Sequence, residues 1–398
     1  MLIKFFEFSL VIFLLNRSHG FSISTLDELG VDYSRLQNVD SSITDDATPD
    51  ELKHGHEIIR GKRCEKSVTV FNGKHAACQG DIIFEEEFNE KVTGDSPDGD
   101  ALRQDNFNLL NSSLWSREVK IPQQPDYGFC VYHKLGKNIK IDNGVLRIVP
   151  TLLEDEFGEN IVYFGSLQLA DCDGLVQECY RNATSYNILP PIISARLTTK
   201  NTLNFRYGKI EVRAKFPKGD WLIPEMMIQG MNAGHKARIT LGMARGNDNF
   251  QTSDDSRADF SSRLLEFEVK GAAPAKLTKL KNFGFWNDEF HVYRTIWTER
   301  GFTFEVDNER VGEIPHPHSE DNTDSPKDFY LTFGLGVGGM QAFPDNTRSG
   351  NYEKPWRNVE AKAMLRFWQA KDQWLPTWRL GTKHSAALEI DYVKISAV

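Results

Sequence analysis

The sequence lacks an excess of positive charge, long hydrophobic runs beyond its N-terminus, and the periodic pattern of long helices. Its net charge is −9 at pH 7 over 398 residues, and its basic residues are scattered among acidic ones. This balance argues against a nucleic-acid partner, which would favour basic clusters. No internal stretch approaches the roughly 20 apolar residues of a membrane-spanning helix, so we expect no membrane association.

One internal stretch lacks acidic residues although the chain is acidic overall. Between residues 226 and 247 there is no Asp or Glu. The second half of this stretch indicates a strand, and a bulge at Gly242 would return Met243 to the face that carries Arg238 and Thr240. None of these three side chains can exchange a proton near neutral pH or act as a nucleophile.

The N-terminus has the features of a secretory signal. Lys4 precedes a mostly apolar run over residues 5–15, and Ser18 and Gly20 supply the small residues of a cleavage site. The alternative, a signal anchor, is disfavoured because the run is short for a bilayer. We therefore expect a signal peptide over residues 1–20 and a secreted, extracellular protein.

Residues 21–63 are polar and acidic without a sustained period, which predicts a flexible leader. His54 and His56 within it could ligate a metal, but no further ligand is arranged around them, so we expect a solvated loop. From about residue 80 to the C-terminus, short β-rich runs alternate with Gly, Pro, Asn and Asp. This pattern predicts an all-β fold, a single sandwich of two large antiparallel sheets.

Several runs predict individual strands. Residues 145–150 follow an Asp-Asn-Gly turn and predict the second arm of a hairpin, and residues 302–312 predict another hairpin that turns at Asp307. Residues 208–215 and 387–395 alternate apolar and charged side chains, as half-buried antiparallel strands do.

The five cysteines fit an oxidising compartment. Two local disulfides are the economical pairing, because Cys64 and Cys78 bracket one short loop and Cys172 and Cys179 bracket another. Cys130 is left over in a strand-like segment. There we expect a buried thiol rather than a bridge between chains.

Two tripeptides agree with secretion. Asn111-Ser-Ser and Asn182-Ala-Thr match the acceptor pattern for N-linked glycans. Both asparagines are therefore candidate glycosylation sites.

Five segments occur in an order that resembles one known family. They are residues 82–88, 207–221, 290–297, 329–339 and 367–378. Together they resemble the laminarinase branch of glycoside hydrolase family 16 and, more closely, the insect β-1,3-glucan recognition proteins, also called Gram-negative bacteria-binding proteins. The resemblance spans residues 64–398. It implies a jelly-roll β-sandwich domain with a concave face that binds a β-1,3-glucan chain.

Active members of that enzyme family carry Glu-x-Asp-x-x-Glu on a cleft strand, followed by Ser-Arg-Gly-Asn. Their retaining mechanism needs a nucleophilic carboxylate and a carboxylic acid about 5 to 5.5 Å apart. Aligned on residues 244–247, the resemblance places Arg238, Thr240 and Met243 at the three acidic positions. Because neither catalytic carboxylate is left, we expect no hydrolysis by the family mechanism.

A rival pair of carboxylates occurs in the strand-like segment 264–270, where Glu266 and Glu268 share one face. These two could form a substitute catalytic dyad. The interpretation that we favour is structural, with the intervening apolar residues facing the core and both glutamates facing solvent.

A glucan groove needs aromatic faces for the C–H surfaces of sugars and polar side chains for their hydroxyls. From the family groove, the candidate glucan-binding residues are Trp221, Trp356, Arg213, Arg238, Arg245 and Asn247. Four further tryptophans are expected in the core, namely Trp297, Trp368, Trp374 and Trp378.

Departures from the family pattern weaken the expected sugar contacts. Ile223 stands where the enzymes have a second Trp, and Gly334 stands where they have an Asn. Most glucan recognition proteins also carry an N-terminal immunoglobulin-like domain, in whose place this chain has only residues 21–63. Three hypotheses follow: a non-hydrolysing immune receptor for microbial β-1,3-glucan that engages a partner such as an immune serine protease, an active β-1,3-glucanase, or a protein-interaction module without sugar binding.

No cofactor is expected, with calcium as the one open alternative. The resemblance raises it because family members sometimes hold a calcium ion on the convex side of the sandwich. Plausible hard ligands are Glu85, Glu86, Glu87 and Asp391. Acids at strand ends are more often simply solvated.

Overall fold

The computed structural model describes residues 56–59, 62–89, 110, 113–123, 127–172, 174–231, 237–271, 274–316, 328–380 and 386–398. The predicted signal peptide, most of the predicted leader and the sequon at Asn111 lie outside these residues. The described part of the chain falls within the unit Gly55–Val398.

Strands are the main regular structure of the described chain. In order they are β1 (His56–Ile59), β2 (Lys62–Glu65), β3 (Val70–Phe71), β4 (Lys74–His75), β5 (Ile82–Glu86), β6 (Ser116–Arg117), β7 (Cys130–Tyr132), β8 (Ile139–Asp142), β9 (Val145–Ile148), β10 (Thr151–Leu152), β11 (Ser166–Gln168), β12 (Tyr180–Asn182), β13 (Ile192–Ser194), β14 (Arg196–Thr198), β15 (Phe205–Arg206), β16 (Gly208–Lys215), β17 (Leu222–Gly230), β18 (Arg238–Met243), β19 (Phe250–Thr252), β20 (Leu264–Lys270), β21 (Ala275–Leu280), β22 (His291–Thr298), β23 (Gly301–Val306), β24 (Glu309–Pro315), β25 (Phe329–Val337), β26 (Thr347–Ser349), β27 (Tyr352–Glu353) and β28 (Leu388–Ser396).

Helices are short in the described residues, as expected from the lack of helical periodicity. The α-helices are α1 (Leu153–Phe157), α2 (Ile161–Phe164), α3 (Val176–Cys179), α4 (Ala363–Gln369) and α5 (Lys371–Trp374), and 3-10 turns occupy Gly136–Asn138 and Leu375–Trp378. In this part of the chain, no helix has the length and apolar character needed to cross a membrane.

Two large antiparallel sheets form the predicted jelly-roll sandwich. The ten-stranded cleft sheet has the order β21-β20-β18-β17-β25-β15-β3-β4, with β14 beside β25 and β6 beside β14. The eight-stranded back sheet has the order β24-β23-β22-β16-β28-β9-β8, with β5 beside β28. Aromatic side chains join the two layers: the rings of Phe267 and Phe304 lie 5.0 Å apart.

The strand pattern follows from local sequence. In β16 every second residue is buried and its neighbours are half-buried, which confirms the alternation predicted for residues 208–215. Both predicted hairpins are present, β8 with β9 and β23 with β24. Asp307 and Asn308 turn the second with φ of 52° and 66°. These left-handed conformations suit the twist of a tight hairpin.

The sulfur chemistry agrees with the prediction. Disulfides join Cys64 to Cys78 and Cys172 to Cys179. Cys130 is free and 0% exposed. Burial raises the pKa of its thiol to about 12, so it is protonated and unreactive near neutral pH.

We predict that Gly242→Ala destabilises the sandwich by about 1–3 kcal/mol. Gly242 has φ of 150°, and a Cβ there would lie 2.8 Å from the ring of buried Tyr293. Urea unfolding of both proteins measures the difference. Gly128→Ala is the control, since a Cβ at that position makes only ordinary contacts; a loss no larger than that of the control would contradict the prediction.

Candidate ligand-binding cleft

Strand β18 places one row of side chains on the open face of the cleft sheet. Ile239 and Leu241 point into the core, whereas Arg238, Thr240 and Met243 line the cleft. The predicted bulge and the shared face are therefore confirmed.

The register with β20 shows how the bulge works. Thr240 lies opposite Glu268 and Met243 lies opposite Glu266, so β18 has one residue more than its partner between these pairs. Gly242 takes the irregular position. The cleft above this surface has a volume of about 480 Å³ and is bordered by β17, β18, β20 and the end of β25.

Glu266 is a buried member of an ion-pair cluster. Only 2% of it is exposed, and its Oε1 lies 3.2 Å from Arg245 Nη1 and 2.6 Å from Lys276 Nζ. Burial alone would raise the pKa of Glu266, but attraction to Arg245 and Lys276 outweighs it and holds the pKa below the ordinary value. The expectation that Glu266 faces solvent is thus wrong, because the two cations cover it.

Glu268 fits the prediction better. It is half-buried on the same face, and its carboxylate lies 3.4 Å from Lys270 Nζ. Both members of the rival carboxylate pair therefore line the cleft and are paired with neighbouring cations.

A second ion-pair network occupies another part of the cleft lining, and sequence reasoning missed it. Arg196 Nε donates to Glu225 Oε2 at 2.9 Å, and its guanidinium lies 4.1 Å from the ring centre of Tyr132. The Tyr132 hydroxyl donates to Glu225 Oε1 at 2.8 Å. The available signal was a single carboxylate, Glu225, inside the otherwise apolar run of β17.

This network explains why a glycine occupies position 334. Gly334 lies directly opposite Glu225 in the pairing of β17 with β25. A Cβ at position 334 would collide with the Glu225 carboxylate. The glycine that departs from the family pattern therefore makes room for the ion pair.

The two candidate tryptophans do not present their faces to the cleft. Trp221 is 0% exposed and Trp356 is 2% exposed, and their rings meet edge to face at 4.9 Å. Phe250 and Phe343 complete the same buried cluster. Their prediction as sugar platforms is wrong, because an aromatic cluster beneath the loops supplies both with apolar neighbours. The four tryptophans expected in the core are buried, namely Trp297, Trp368, Trp374 and Trp378.

Arg213 and Asn247, also predicted to contact the glucan, do not line the cleft. Arg213 belongs to β16 of the back sheet, where it pairs with Asp391 and lies 4.8 Å from the ring centre of Phe290. Asn247 is 0% exposed. Its Oδ1 accepts a hydrogen bond from the backbone N–H of Trp221 at 3.1 Å, and its Nδ2 donates to Ser349 Oγ at 3.0 Å, so it anchors loops instead.

Arg245 does line the cleft, but it is 4% exposed and two of its three nitrogen atoms already donate hydrogen bonds. Besides contacting Glu266, its Nε donates to the carbonyl of Ala342 at 2.8 Å. Asn182 is exposed on β12 and accepts a hydrogen bond from the Tyr180 hydroxyl at 2.8 Å, and its glycosylation stays a prediction.

The calcium alternative gains no support from the contacts of its candidate ligands. Glu85 lies 3.3 Å from Lys394 Nζ, and Asp391 pairs with Arg213. Among the residues that the structure describes, no group of three or more His, Cys, Asp or Glu side chains is placed to hold a metal ion.

The fold and this surface define a two-sheet β-sandwich with a cleft on one sheet. No protein-family model matches the chain. It is 31% identical over 367 residues to "Beta-1,3-glucan-binding protein 1" of Galleria mellonella, covering 84% of this chain and 67% of that protein. It is 31% identical over 385 residues to the protein of the same name from Manduca sexta, covering 88% and 72%. It is 33% identical over 328 residues to "Gram-negative bacteria-binding protein 1" of Drosophila melanogaster, covering 75% and 65%.

The chain therefore belongs to the family of β-1,3-glucan-binding and Gram-negative bacteria-binding proteins. Among solved structures, the endo-β-1,3-glucanase of Pyrococcus furiosus is similar with a TM-score of 0.48 at 18% identity, covering 86% of this chain and 98% of that one. The laminarinase catalytic domain of Thermotoga petrophila RKU-1 has a TM-score of 0.47 at 18% identity, covering 80% and 97%.

We predict that Arg245→Met destabilises the protein by about 3–5 kcal/mol, because it removes one of the two cations beside the buried Glu266 carboxylate. Urea unfolding at pH 7 measures the loss. The control is Arg310→Ala, which removes a cation from an ion pair whose side chains are 59% and 55% exposed and should cost less than about 1 kcal/mol. Equal losses would show that the buried pair has no special role.

The Glu266 carboxylate should make the stability of the fold depend on pH. Since its pKa is held below the ordinary value of 4.5, the ionised form stabilises the fold above that pH, and this contribution is lost as the pH falls through the lowered pKa. Thermal melting between pH 7 and pH 3 should therefore fall less steeply for Glu266→Gln than for the wild type. Glu313→Gln, at an exposed pair, should leave the slope unchanged; a parallel fall in all three proteins would contradict the assignment.

Proposed function

We propose that this chain is a secreted immune recognition protein that binds β-1,3-glucan in the cleft without hydrolysing it. The observation that carries the proposal is the surface of β18, which presents Arg238, Thr240 and Met243 where a hydrolase of this fold would need its acids. The names of the relatives support the binding half of the proposal.

The electrostatics argue against the glucanase hypothesis. A retaining glycosidase needs one protonated carboxyl group as the acid and one carboxylate as the nucleophile. Glu266 is ionised at neutral pH, because two cations lower its pKa, and it is shielded from a substrate by burial. Glu266 is thus unsuited to the role of the acid, and its burial disfavours the role of the nucleophile.

One observation favours the hypothesis of a protein-interaction module without sugar binding. Because Trp221 and Trp356 are buried, the cleft offers no stacking platform from either residue. Binding in the cleft would rest on polar contacts and on half-exposed groups such as Arg238 and Thr240. A partner such as an immune serine protease would then carry the signal, and its capture only in the presence of glucan would separate the receptor from a sugar-independent module.

We predict that the mature protein is retained on insoluble β-1,3-glucan above an albumin control. Thr240→Trp, which fills the cleft, should weaken retention at least tenfold, whereas Lys140→Trp on an exposed position of the back sheet should not change it. Retention equal to albumin would remove the carbohydrate part of the proposal.

No reducing sugar should be released from laminarin by the wild type. Release that Glu266→Gln abolishes would establish the glucanase instead. Release that persists in Glu266→Gln would point to another catalytic group or to a contaminating enzyme. A cleft variant such as Thr240→Trp, purified in the same way, separates the two, because only a contaminant would remain active in that preparation.

A further inference from the structure

A second cavity, which we call the loop pocket, opens where strands of the cleft sheet end. It has a volume of about 760 Å³ and is formed by residues 218–220, 246–249, 349–352 and 373–379. No residue lines both this cavity and the cleft. The size falls in the range of ordinary small-ligand sites.

The inner wall of the loop pocket is fixed by hydrogen bonds. Asp220 is 7% exposed and accepts a hydrogen bond from the Tyr352 hydroxyl. Its backbone N–H donates to Thr377 Oγ1 at 2.8 Å, and its carbonyl accepts from Trp378 Nε1 at 2.8 Å. Three of the four loops are thus held together at one residue, so the wall is in place before any ligand arrives.

The rim of the loop pocket differs from the wall, because its amides are not engaged. Asn249, Asn351 and Gln373 are exposed, and none of their side chains hydrogen-bonds to another residue in the described part of the chain. Each amide offers two donor hydrogens and one acceptor oxygen. In the cleft, by contrast, Arg245 and Glu225 bond to other protein groups.

Charge in the loop pocket is nearly balanced. Lys218 Nζ lies 3.0 Å from Asp248, and Arg379 faces the same cavity as Asp220. An ion of either sign therefore gains little there, whereas a neutral ligand with many hydroxyl groups can use both donors and acceptors. Tyr352 and Pro376 add apolar surface for the C–H groups of a sugar ring.

We infer that the loop pocket is a second saccharide-binding site, which takes a short neutral oligosaccharide. The inference rests on the proposed function for its choice of sugar, a β-1,3-linked glucose oligomer. Two sites on one chain would let the protein hold a polymer at two points, which raises the avidity without any new contact in the cleft.

Calorimetric titration of the mature protein with laminaritetraose tests the inference. The wild type should bind two molecules per chain. In the variant Asn249→Ala/Asn351→Ala, one molecule should bind with unchanged affinity and the affinity for the second should be about ten- to hundredfold weaker, since each lost hydrogen bond costs about 0.5–1.5 kcal/mol. The matched control Asn201→Ala/Asn282→Ala removes two exposed amides that line neither cavity and should still bind two.

Thr240→Trp separates this inference from the proposed function. If the cleft variant loses all binding and the loop-pocket variant loses none, the second site is wrong and the cleft proposal stands. If the loop-pocket variant loses all binding and the cleft variant loses none, the second site is right and the cleft is wrong. No binding by the wild type overturns both.

Discussion

The ion pair between Arg245 and Glu266 joins the end of one cleft strand to its neighbour, and the chemistry of the cleft depends on it. A carboxylate that is 2% exposed stays ionised only if cations stand beside it, and Arg245 and Lys276 supply them. The same contacts keep Glu266 from serving as a protonated acid in the cleft. One electrostatic arrangement therefore stabilises the edge of the sheet and disfavours glycoside hydrolysis.

A second ion pair in the cleft lining depends on Gly334. In place of a side chain that would reach a sugar, the glycine leaves space for Glu225, which pairs with Arg196 and bonds to the Tyr132 hydroxyl. These three polar groups of the cleft lining are thus satisfied by one another. Because a paired group must break a protein contact before it binds a hydroxyl, we expect the cleft to bind sugar less tightly than a groove with unengaged donors would.

Features with a local cause were predictable from the sequence. The bulge at Gly242, the turn at Asp307 and the two short disulfide loops each depend on residues that are near one another in the chain. The failures depend on residues that are distant. Alternation gives the two faces of a strand but not the sheet to which the strand belongs, so it does not reveal that Arg213 lies in the back sheet, away from the cleft. Trp221 is buried by side chains far along the sequence, such as Phe343, which no local pattern reveals.

Binding without turnover places different demands on a cleft than catalysis does. A hydrolase must stabilise a transition state more strongly than its substrate, which requires groups aimed at one reacting bond. A receptor for a repeating polymer needs only enough contacts to stay attached, and several modest sites joined in one rigid domain achieve this through effective concentration. Arg238, Thr240 and Met243 are compatible with the second demand and not with the first. The strand pairing and the bulge of β18 form without a carboxylate at any of those three positions, so the sandwich does not depend on an acid there.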